Sequence, residues 1–120
     1  MIYRWFPVAA WVGLLLVLSL LPAGVVETPA VLGFDKLAHA AVYGVLALLA
    51  HRAVRRPCLS CGLVVAVSCG ALGACLELAQ AFVPGRTPSL ADAVANLAGA
   101  AIASAVYVRC WAGTCGSHAA

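Results

Sequence analysis

Four stretches of almost unbroken apolar residues alternate with short polar breaks, and this pattern predicts helices at about 6–21, 36–54, 60–83 and 90–108. Stretches of this length suit the roughly 30 Å hydrocarbon core of a bilayer. The breaks carry their own punctuation: Pro22, Gly24, Pro29 and Gly33 in the first, Arg55, Arg56 and Pro57 in the second, and Pro84-Gly85-Arg86-Thr87-Pro88 in the third. Polar residues inside the apolar stretches are not scattered. Asp35, His39 and Tyr43 recur every four residues, with Lys36 beside them; Glu77 and Gln80 close the third stretch; Asp92 and Asn96 open the fourth, just after Ser89. Residues three or four apart share a helix face. Glu77 lies about 10 Å along its helix from Pro84, and Asn96 is at similar depth beyond Ser89, so one polar layer can connect three helices.

Composition turns this pattern into a class. The chain is 65% hydrophobic and only 9% charged, where a soluble domain is about 25% charged. The reading is an all-α membrane protein: a four-transmembrane-helix bundle forming a single domain over 1–120. The formal net charge of +3 is spread over short loops, with no basic face for nucleic acid. Arg4 ahead of an apolar run also fits a signal peptide, but Leu21, three residues back in a cut after Ala23, is not small, which favours a retained first helix. Lys and Arg are retained on the cytoplasmic side. Arg4, Arg52, Arg55, Arg56 and Arg109 fall on one side and Lys36 and Arg86 on the other. Both termini are therefore expected inside, with Asp35 and the 84–89 turn outside.

Charges in such a setting need a reason. An ionised carboxylate facing hydrocarbon costs several kcal/mol, so Glu77 needs a partner, and His39, Arg86 and Lys36 are the candidates. Ser89 with Asp92 three residues on matches the pattern that caps a helix start. The polar layer then has three readings. It is a structural network between helices; or a site for an anionic lipid or lipid-linked head group, with Arg86, Lys36 and the helix start at Ser89 as donors; or an enzyme with Glu77 or His39 as general base, for which no nucleophile is apparent. Asp35, His39 and Glu77 lack a diagnostic metal spacing, and neither metal nor cofactor is expected. Cys58, Cys61, Cys110 and Cys115 gather at the cytoplasmic end, where a four-thiolate zinc site competes with the use of Cys as a small apolar residue, as at Cys69 and Cys75. Ala66, Gly70 and Ala74, and Ala95, Gly99 and Ala103, form small-residue stripes that seal the bundle or make a dimer face, leaving a homo-oligomer open.

Three of these blocks carry a resemblance. Asp-Lys-Leu-Ala-His at 35–39, Glu-Leu-Ala-Gln-Ala-Phe-Val-Pro-Gly-Arg at 77–86 and Ser-Leu-Ala-Asp-Ala-Val-Ala-Asn-Leu-Ala-Gly at 89–99 resemble the motifs of the VanZ-like family, over about 34–108. The resemblance implies a small multi-pass protein of the bacterial cytoplasmic membrane, related to one associated with teicoplanin resistance. The motif maps to Asp35, Lys36, His39, Glu77, Gln80, Pro84, Gly85, Arg86, Ser89, Asp92, Asn96 and Gly99. The function expected from residues and resemblance together is an outward-facing polar pocket that binds an anionic lipid or lipid-linked envelope precursor.

Overall fold

The computed structural model describes residues 1–25 and 33–115, without the side chains of 112–115; Cys115 as a thiolate ligand therefore lies outside the described residues. A single 3-10 turn, Ile2–Arg4, leads into α1 (Phe6–Leu20), followed by α2 (Phe34–Val54), α3 (Leu59–Gln80) and α4 (Leu90–Cys115). There is no strand among the described residues. A helix pairs its backbone polar groups within one segment, which suits a chain this apolar. Three helices, α2, α3 and α4 to Trp111, are long and apolar enough to cross a membrane. At 15 residues, α1 is about 22 Å long. That is short of the roughly 30 Å hydrocarbon core.

Two helix ends differ from the sequence expectation. α3 stops at Gln80, not at 83, because the N–H groups of Ala81, Phe82 and Val83 turn back to the carbonyls of Leu78, Ala79 and Gln80. Pro84 disfavours helical backbone at the residue before it, and the tighter turn absorbs the change of direction. α4 continues past 108 to Cys115, since nothing in Arg-Cys-Trp-Ala-Gly-Thr-Cys forces a stop.

α2 and α4 pack side by side and run parallel. Lys36 meets Asp92 at one end, and the His51 ring stacks on Tyr107 at the other, with centroids 4.5 Å apart and planes at 16°. Glycine brings the backbones together between these points. A Cβ at Gly99 would run into the backbone of Ala40, and one at Gly44 would lie 3.4 Å from the Gly99 carbonyl oxygen. α3 runs antiparallel to both and packs chiefly against α4, where Gly70 accommodates Leu97, and Gly73 accommodates Asn96 and Tyr43. The Gly70 and Gly99 stripes thus seal the bundle from within. Leu46, Ala47, Val65, Cys69, Leu76 and Ala100 fill its centre, with Leu15 joining from α1. Large side chains such as Leu63, Val67, Leu78, Ile102 and Val106 point outward on the other faces, as lipid-facing positions would.

His51 lies in the last turn of α2, next to Arg52, yet is enclosed. It is 0% exposed, and among the described residues neither ring nitrogen has a hydrogen-bond partner, so it packs as an aromatic core residue against Tyr107. Beside it the Arg4 guanidinium donates to the Ala53 carbonyl, tying the N-terminus to the end of α2.

Candidate functional site

The first turns of α2 and α4, the last turn of α3 and the segment between α3 and α4 meet at one end of the bundle. Parallel packing of α2 and α4 puts Asp35, Lys36 and His39 beside Asp92 and Asn96. The Lys36 ammonium donates to Asp92 Oδ1 at 2.5 Å and to Asp35 Oδ2 at 3.4 Å. His39 Nδ1 lies 2.9 Å from Asn96 Oδ1. An amide oxygen only accepts, so Nδ1 carries the proton, and Nε2 faces Asp35 Oδ1 at 3.8 Å and Asp92 Oδ2 at 3.7 Å.

The segment between α3 and α4 is fixed by two long reaches. Glu77 Oε2 accepts the Ser89 backbone N–H at 3.0 Å, and Ser89 Oγ accepts the Asp92 N–H at 3.3 Å. The start of α4 is thus held twice: by Ser89, as its spacing with Asp92 predicts, and by a carboxylate from the neighbouring helix, where negative charge suits the positive end of the helix dipole. Glu77 finds its partner in this backbone group, and in none of the three side chains that sequence reasoning put forward. Arg86 follows Gly85, whose φ of +76° is one that glycine adopts freely. Its Nε donates to the Leu21 carbonyl at 3.1 Å and its Nη2 to the Leu18 carbonyl at 3.2 Å. These are carbonyls at the end of α1, where the helix itself leaves acceptors without donors.

Between α1, α2 and α3 a cavity of about 240 Å³ remains, lined by Leu15, Leu18, Val42 and Leu76 on its apolar side. Asp35, His39, Glu77, Gln80, Arg86 and Asn96 supply most of its polar lining, with Ser19 and Tyr43. Six of the nine expected site residues therefore reach one space. Lys36, Ser89 and Asp92 do not line it and act behind it, pairing the carboxylates and starting α4. Gln80 is 7% exposed and Glu77 5%. Among the described residues the Gln80 amide makes no hydrogen bond, and Glu77 Oε1 has no partner. Neither residue is among those with a fully enclosed polar atom that lacks a partner, so these free atoms open onto the cavity, which is where both groups can be satisfied.

Sequence reasoning missed what α1 contributes. Ser19 interrupts an apolar run, a signal that was available; the Leu18 and Leu21 carbonyls carry none, because backbone acceptors are the same at every residue. For metals, Asp35, His39 and Asp92 have ligand atoms within 4.8 Å of one another; this differs from the set Asp35, His39 and Glu77 weighed above. The Lys36 ammonium already balances these two carboxylates. Among the described residues Cys110 joins no such group with Cys58 and Cys61.

The sequence model of the VanZ/LLP1 family matches residues 3–111. The chain belongs to the VanZ/LLP1 family. The match extends beyond the three motifs to take in α1, the helix that Arg86 ties to them and that walls the cavity. No curated protein and no solved structure matches this VanZ/LLP1 chain.

Proposed function

We propose that this VanZ/LLP1 protein spans the cytoplasmic membrane of a bacterium with both termini inside, and that its cavity opens outward to bind the head group of an anionic lipid or lipid-linked envelope precursor. The observation that carries the reading is the cavity: an apolar wall meets two largely buried side chains, Gln80, which makes no hydrogen bond among the described residues, and Glu77, whose Oε1 makes none there. An amphiphile fits such a space end to end, its chain against Leu15, Leu18 and Val42 and its head among the polar residues.

The donors expected for an anion are mostly engaged. Lys36 is paired to Asp92, Glu77 occupies the start of α4, and Arg86 caps α1. Among the described residues Arg86 Nη1 remains for a phosphate or carboxylate; Glu77 Oε1 and Gln80 suit hydroxyl or amide donors. A head group that combines an anion with hydroxyl or amide groups, as in a lipid-linked sugar, matches both. Altered susceptibility to a glycopeptide that targets such precursors would then be a consequence of binding. The alternatives are a lipid head-group enzyme and a purely structural layer. Native mass spectrometry of protein extracted gently from its own membrane separates them: a defined lipid adduct supports binding, turnover of that lipid to product makes it an enzyme, and no adduct favours the structural layer.

A further inference from the structure

At the end of the bundle away from the cavity, Cys58-Leu-Ser-Cys61 has no part in head-group binding. Cys58 is the residue before the first turn of α3, with extended backbone (φ −112°, ψ 157°), and its sulfur accepts the Cys61 N–H at 3.3 Å. That capping turn swings the two side chains together, so that the sulfurs lie 2.8 Å apart. Cys58 is exposed and Cys61 half-exposed. Cys69 is buried, while Cys75 and Cys110 are exposed and have no second thiol in contact among the described residues. Beside Cys61 lies an apolar cleft of about 180 Å³, walled by Val54, Val64 and Val65.

We propose that Cys58 and Cys61 form a redox-active dithiol that exchanges with disulfides, Cys58 attacking and Cys61 resolving. Each part of the arrangement has a chemical use. The outer sulfur can be reached by a substrate disulfide, and the cleft receives an apolar flank of that substrate. The second sulfur is near enough to complete the reaction within the molecule. The Cys61 thiol and backbone N–H, together with the Arg56 charge, hold the Cys58 thiol below the ordinary cysteine range, which favours the thiolate that attacks. In the first step the Cys58 thiolate bonds to one sulfur of the substrate disulfide, and the other leaves as a thiolate that takes up a proton. Cys61 then gives its proton to water and attacks Cys58. The Cys58–Cys61 disulfide forms and the second substrate thiolate leaves. The protein loses two electrons and the substrate disulfide becomes two thiols; a dithiol substrate runs the sequence backwards.

The test exposes the whole protein in detergent to reduced and oxidised glutathione and samples it over time until it reaches equilibrium, with each cysteine read by alkylation and peptide mass. Wild type should lose both thiols at 58 and 61 together, as an intramolecular disulfide. Cys61→Ser, whose hydroxyl keeps a donor beside Cys58, should instead trap glutathione on Cys58 at least about tenfold faster than Cys110 acquires it. Cys58→Ser should abolish formation of the disulfide. A Cys58 that reacts no faster than Cys110, or wild type that yields only mixed disulfides, would overturn the proposal. Because wild type alone supplies the second outcome, the test stands even if a variant fails to fold.

Discussion

Glu77 does two things. Its Oε2 holds the Ser89 N–H at the start of α4, and the side chain also lines the cavity. Glu77→Ala removes the first contact whether or not a ligand is bound, and it should lower unfolding stability by about 1–3 kcal/mol. Glu77→Gln keeps an acceptor and should lose less. Unfolding of both variants in detergent, free of added lipid, reads the difference; an alanine variant as stable as wild type would mean that Oε2 does not hold α4. Gln80 is the opposite case. It makes no hydrogen bond among the described residues, so its replacement reports on the cavity.

The parallel pairing of α2 and α4 rests on glycine where the backbones touch. Gly99→Ala places a Cβ against the Ala40 backbone, which cannot step aside as a side chain can, and should destabilise by at least about 1–3 kcal/mol. Gly13→Ala, with nothing within 4 Å of its Cβ, should be neutral or slightly stabilising, since alanine is the better helix former. Equal effects in thermal unfolding would contradict the pairing. The elements were largely legible in the sequence, because an apolar run of about 20 residues bounded by Pro, Gly and Arg leaves few alternatives. Helix ends were less so: the tight turns at 81–83 arise from geometry before Pro84, not from a change in residue type. In the site, the spacing of Asp35 with His39 and of Asp92 with Asn96 disclosed which residues share a face. That Glu77 and Arg86 bind backbone groups could not be read, since no residue type marks the acceptor or donor.

At the scale of the whole molecule, charge distribution and cavity placement make one joint claim: the cavity end faces out. Thr87→Cys, in a background lacking the native cysteines, should react with an impermeant thiol reagent in intact cells; labelling only after lysis would put that end inside. The central claim is that the cavity holds a head group through polar atoms the protein leaves unpaired. Gln80→Leu tests it most directly, because leucine is of similar size and the change breaks no hydrogen bond among the described residues. Native mass spectrometry of wild type beside Gln80→Leu, with unfolding measured on the same samples, should show the lipid adduct weakened about tenfold or more. Stability without ligand should be unchanged or higher. An adduct equally abundant in both proteins, or absent from both, would contradict the account.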